Sequence, residues 1–208
     1  VGRATAISFA RAGAEGIIIG ARSDLSSLEI ELKTEATAAG KKPPKVLPIQ
    51  LDLLSHQSVR DAVEQVEEAF GRLDILVNNA GYLAASQTIV DSDLDEWWQT
   101  FEVNVRGVYL MTRAFLPMML KDGMKTIVNV GSTGANSLRP GASGYQTSKF
   151  ALLRFTEFVM LEYADQGILA YCVHPGAVNT DLAKKLPEYL HKGKVHKFRD
   201  LALSIRSR

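Results

Sequence analysis

The chain has 208 residues, within the size of one α/β domain. Hydrophobic residues make up 46% and charged residues 23%, the composition of a globular protein and not of a disordered chain. A net charge of +1 provides no general field for nucleic acid or a membrane surface, and no apolar run reaches the roughly 18 residues that span a bilayer.

Apolar runs alternate with helical patterns along the whole chain. The pattern predicts a helix over 3–12, then a buried strand at Gly16–Ala21 (GIIIGA). A polar helix over Ser26–Ala39 leads to a second strand at Val46–Leu51, where Pro48 is an awkward member. Ser55 is placed to cap a helix whose Val59, Ala62, Val63, Val66 and Phe70 recur at helical spacing. Leu73–Val77 reads as a strand running into Asn78-Asn79-Ala80-Gly81. Ser92-Asp93-Leu94-Asp95 resembles a capping box and opens one long helix through Trp97, Phe101, Val105 and Val108 towards Met119. A strand at Thr126–Val130, a Gly/Ser/Pro-rich loop, a helix over Tyr145–Tyr163 and a strand at Leu169–Val173 complete the series. Strand–helix–strand crossovers throughout predict an α/β fold with a doubly wound, Rossmann-like parallel sheet. The lone Cys172 makes no internal disulfide, which fits a reducing compartment, and a cytoplasmic location is expected.

Tyr145 and Lys149 stand four apart at a helix start and therefore share a face. A free phenol titrates near pH 10, too high for proton transfer near neutrality. A neighbouring ammonium favours the phenolate, which would make Tyr145 a usable acid/base. Ser132 lies just past the carboxyl end of the strand Thr126–Val130, where ligands gather in parallel sheets, and its hydroxyl can bond a substrate oxygen. Asn104, between Val103 and Val105, is either a functional amide or a buried structural one bonding backbone. The small residues of Asn79-Ala80-Gly81 allow close approach of a flat ligand.

With His174-Pro175-Gly176, these motifs fall in the order and spacing of the short-chain dehydrogenase/reductase family, which the chain resembles over about residues 1–185. The resemblance implies an oxidoreductase that moves hydride between a nicotinamide cofactor and a carbonyl or alcohol. It implies that Tyr145 donates and accepts the proton, and that Lys149 binds the nicotinamide ribose and lowers the tyrosine pKa. Ser132 would position the substrate oxygen and Asn104 hold a water in a proton relay. Asp52 would meet the adenine; Gly2, Asn79, Ala80 and Gly81 would line the dinucleotide. Pro175, Gly176, Val178 and Thr180 would lie at the nicotinamide carboxamide. At the turn after the Gly16–Ala21 strand the chain has Arg22 and no acid, a pattern that suits a 2′-phosphate. NADP is therefore the expected cofactor, with NAD the other candidate. A homo-oligomer pairing the long helices at 94–120 and 145–163 is implied too.

The family's TGxxxGIG loop finds only its last two places in Val1-Gly2, so a first strand is expected to be missing, and a C-terminal strand likewise. The chain is thus read as one NAD(P)-binding domain, with a core over 1–181 and a lid and atypical basic tail over 182–208. That tail holds Lys184, Lys185, Lys192, Lys194, Lys197, Arg199, Arg206 and Arg208 against Glu188 and Asp200. Nothing supports the tail as a nucleic-acid site, and His191 and His196 lack partners at metal-ligand spacing. The loop Ala135–Gly144 and the segment Leu182–Phe198 are expected to line the substrate pocket. The alternatives are an epimerase or dehydratase, against which NNAG and Asn104 speak, and a truncated member of the family acting without catalysis.

Overall fold

The computed structural model describes residues 1–176 together with Val178, Thr180 and Leu182. Helix α1 (Gly2–Ala12) precedes strand β1 (Gly16–Ala21), followed by α2 (Ser26–Ala38), β2 (Lys45–Gln50), α3 (His56–Phe70) and β3 (Ile75–Asn78). Then come α4 (Leu94–Phe101), a π-helical segment (Glu102–Gly107), α5 (Val108–Lys121), β4 (Thr126–Val130), α6 (Ser143–Tyr163) and β5 (Leu169–Val173). Observed ends differ from the apolar runs by a residue or two, because a hydrogen-bond ladder and a run of hydrophobic side chains need not stop together.

Every pairing is parallel, as strand–helix crossovers dictate: β1 with β2, and β4 between β3 and β5. Among the described residues no strand joins β1 to β3, so the fold carries a two-stranded and a three-stranded sheet. Alternation divides each strand between layers. Ile17 and Ile19 of β1 pack on Ala10 of α1 and on Leu32 and Ala36 of α2, while Ile18 turns towards the larger core. That core joins Leu76, Ile127 and Ala170 from β3, β4 and β5 to Phe115, Leu116 and Met119 of α5 and Val159 of α6.

Local chemistry sets the helix ends. Gly13 closes α1 at φ 90, a left-handed position that glycine enters without a Cβ clash. Ser55 caps α3, accepting from the Ser58 N–H at 3.2 Å. At α4 the cap is Asp93, which accepts from the Glu96 N–H at 2.9 Å, while the Ser92 hydroxyl donates to Ile89 O.

The single long helix expected from Asp93 towards Met119 is interrupted. Its middle turn, Glu102–Gly107, is π-helical, and α5 begins only at Val108. The wider turn is held by side-chain contacts far away in sequence, which hydrophobic spacing does not register. A buried polar chain also ties the second sheet to its helices: Asn78 Nδ2 donates to Asn129 Oδ1 at 2.8 Å, and Asn129 Nδ2 to Thr156 Oγ1 at 2.9 Å. Among the described residues no helix is long and apolar enough to cross a membrane, and no cluster of His, Cys, Asp or Glu stands together to hold a metal ion. The expected lid and basic tail lie outside the described residues, apart from Leu182.

Candidate active site

Parallel strands end on one side, and there the chain leaves a cleft of about 890 Å³. Arg22 borders it after β1, Asp52 after β2, Asn79, Ala80 and Gly81 after β3, Ser132 after β4, and Pro175, Gly176, Val178 and Thr180 after β5. Tyr145 and Lys149 reach it from the first turns of α6. Two expected residues do not line it. Gly2 packs instead against Asn79: a Cβ there would come within 2.7 Å of Asn79 Nδ2. Asn104 is fully buried beneath the cleft.

Asn104 is occupied on every side. Its Oδ1 accepts from the Tyr82 N–H at 2.8 Å, and its Nδ2 donates to Tyr82 O at 2.9 Å and to Ser148 Oγ at 3.0 Å. The side chain thus joins the loop after Gly81 to α6 one residue before Lys149. Two of its three bonds are to the backbone of Tyr82 and the third is to a side chain.

Lys149 is only 3% exposed. Its Nζ donates to Val130 O at 2.8 Å and lies 5.8 Å from the centre of the Tyr145 ring. Burial, opposed by nearby Cys172, pulls the ammonium down to about 8. Tyr145 moves the other way. Burial raises its pKa above the ordinary phenol value, and the Ser132 hydroxyl lowers it in part. Of these two influences on the phenol, desolvation is the larger. Lys149 spends one of its donors on that backbone carbonyl. Ser132 also caps the turn after β4, accepting from the Gly134 N–H at 3.0 Å.

The nucleotide side of the cleft suits a dinucleotide on three observations. The first turn of α1 has neither a side-chain cap nor an acid, so its free N–H groups suit an anion, and Val1 borders the cleft. A side chain at Gly81 would point towards Asn104 Oδ1 and Lys149 Nζ, at 3.5 and 3.8 Å, so glycine keeps that floor open. Arg22 is exposed with no ion pair among the described residues, because Asp24 accepts instead from the backbone and hydroxyl of Ser26.

Several lining residues escaped the sequence reading. Leu53 and Leu54 border the cleft beside Asp52, although apolar residues after a strand read as core. Gln99 faces it from α4. Gln146 lies inside the Tyr-x-x-x-Lys motif and was legible only as its neighbour. The loop Ala135–Gly144 borders the cleft through Ser137, Arg139 and Ala142.

Comparison with known proteins bears on the family and the fold. The family described as short chain dehydrogenase matches residues 1–190. A short chain dehydrogenase of Monascus purpureus, mpl6, is 55% identical over 188 residues, which cover 90% of this chain and 64% of that protein. The chain therefore spans just under two thirds of the length of that relative. Among solved structures, an alcohol dehydrogenase from the archaeon Thermococcus sibiricus, complexed with 5-hydroxy-NADP, superposes with a TM-score of 0.73 at 26% identity, covering 89% of this chain and 76% of that one. A xylitol dehydrogenase bound to NAD+ gives a TM-score of 0.71 at 27% identity, covering 82% of this chain and 64% of that one.

Proposed function

The chain belongs to the short-chain dehydrogenase family, and from that premise we propose that it transfers hydride between NADP(H) and a small carbonyl or alcohol. The observation that carries the reading is one cleft bordered by Ser132, Tyr145 and Lys149 together with Arg22, Asp52 and Asn79–Gly81. When bound, the nicotinamide supplies or accepts the hydride.

The chain's own residues then hold and move a proton. Tyr145 Oη gives its proton to the carbonyl oxygen in reduction and takes it back in oxidation. Burial holds the phenol's pKa above its ordinary value, so at neutral pH Tyr145 carries the proton it donates in reduction. Ser132 Oγ orients the same oxygen. The Lys149 ammonium, already fixed on Val130 O, turns its remaining donors to the ribose hydroxyls. Asn104 keeps Tyr82 and α6 in register below them. Pro175, Gly176, Val178 and Thr180 border the nicotinamide end, Asp52 the adenine end, and the α1 N-terminus the pyrophosphate.

In this reading residues 1–181 form the core of one nucleotide-binding domain, and the protein works as a homo-oligomer in the cytoplasm. NADP rather than NAD follows from Arg22, whose planar fork suits a 2′-phosphate. In the full-length protein, NADPH should bind more tightly than NADH. Arg22→Ala should weaken NADPH by roughly tenfold or more, and Ala21→Asp should transfer the preference to NADH. Equal affinities for the two cofactors by isothermal titration would overturn the assignment.

A further inference from the structure

Building on the oxidoreductase reading, we propose that Arg139, with its loop pinned by Gln146, selects a carbonyl substrate that carries a carboxylate. Gln146 directly follows Tyr145 and is buried, although it is polar and in the first turns of α6. Both ends of its side chain are spent on the loop between Ser132 and Tyr145. Its Oε1 accepts from the Arg139 N–H at 2.8 Å, and its Nε2 donates to Ser137 Oγ at 3.0 Å.

The far end of the loop is held as well. The Ala142 N–H donates to Arg139 O at 3.3 Å, and Trp97 Nε1 donates to Ser143 Oγ at 3.1 Å. Trp97 also packs on Gly144, where a Cβ would come within 3.1 Å of its ring. The backbone that presents Arg139 is thereby fixed to the same helical turn that presents Tyr145.

Arg139 lines the cleft and has no carboxylate partner among the described residues. The acids lining the neighbouring hollow are already used. Asp93 caps α4, and Glu96 accepts from the Ala85 N–H at 3.1 Å. Asp52, the acid bordering the cleft, follows β2 on the nucleotide side. A guanidinium on a pinned backbone, without a counter-ion among the described residues and one loop away from the proton donor, matches a planar carboxylate on the substrate.

The test uses the full-length protein with NADPH and two aldehydes of one skeleton, para-carboxybenzaldehyde and its methyl ester. The kcat/KM ratio of acid to ester should be roughly tenfold or more, carried by KM. Arg139→Ala should bring the ratio close to one. Gln146→Met, which cannot hold the loop, should lower it too, and Gln146→Glu, whose carboxylate can accept from both the Arg139 N–H and the Ser137 hydroxyl, should restore it. A ratio near one in the unmodified protein, or an equal loss on both aldehydes in Arg139→Ala, overturns the proposal. Terephthalate binding in the presence of NADP, followed by calorimetry, separates the two readings. If neither aldehyde turns over but terephthalate binds and Arg139→Ala abolishes its binding, the oxidoreductase reading fails and the anion site stands. Terephthalate that fails to bind, or binds alike to both proteins, removes the anion site whatever the turnover.

Discussion

Two side chains four residues apart are pushed in opposite directions by the same burial: Tyr145 up, Lys149 down to about 8. Each therefore tends to its neutral form, and this has separate consequences for chemistry and for binding. Tyr145→Phe should cut turnover by roughly 10²–10⁴-fold while cofactor affinity, read by titration, stays near its original value. Ser132 lowers the phenol's pKa, so its removal leaves burial less opposed. Ser132→Ala should therefore move the alkaline limb of the reductive pH–rate profile to higher pH as well as lowering the rate; a lower rate with an unmoved limb would reduce Ser132 to a turn residue. For Lys149 the sign follows from the lowered pKa. The ammonium is charged below about 8 and loses its proton as pH rises through that value, well before an ordinary lysine would. NADPH should accordingly bind more weakly above about pH 8, and Lys149→Met should bind weakly at all pH values with no such inflection. The pairing of Tyr145 and Lys149 was legible because a four-residue step on a helix is a local rule. The direction of the tyrosine shift was not, because it depends on depth of burial, which no local pattern reports.

Among the elements, the π-helical segment Glu102–Gly107 reaches several distant parts of the chain. Asn104 ties it to Tyr82 and Ser148, while Arg106 contacts Glu102, Leu54 O and His56. At its end Gly107 lies under Leu53, so closely that a Cβ would overlap the leucine side chain. One turn thus supports both the reacting end of the cleft and the Asp52–Leu54 loop at the other end. Gly107→Ala should destabilise the protein by about 1–3 kcal/mol through overpacking and should also weaken NADPH binding, because Leu53 must move away from the cleft wall. Denaturant titration and cofactor titration on the same variant check both effects; a loss of stability alone would confine Gly107 to packing. The caps of α3 and α4 could be read from Ser55 and from the Ser92–Asp95 stretch, since a cap is a contact within one turn. The π turn could not, because the partners that hold it lie on other elements, and Val103, Val105 and Val108 are spaced as in an ordinary helix.

At the scale of the whole molecule, two parallel sheets lie side by side, and the edges of β1 and β3 that face away from β2 and β4 carry no strand partner among the described residues. Leu169, Tyr171 and Val173 alternate along β5 and are all exposed. Unpaired strand edges and an open apolar face template association between chains. The chain should therefore self-associate, and light scattering that reports a monomer would contradict this. The sequence alone determined the order of strands and helices, their parallel pairing and the motif positions around the cleft. These depend on the periodicity of apolar residues and on short fixed spacings, both local. Only the tertiary structure decided that Asn104 serves the loop after Gly81 and the helix of Lys149, that Gly2 supports Asn79, that Gln146 holds the loop of Arg139, and that burial governs Tyr145. Each of these is a contact or a desolvation between segments far apart in the chain, created when the layers pack.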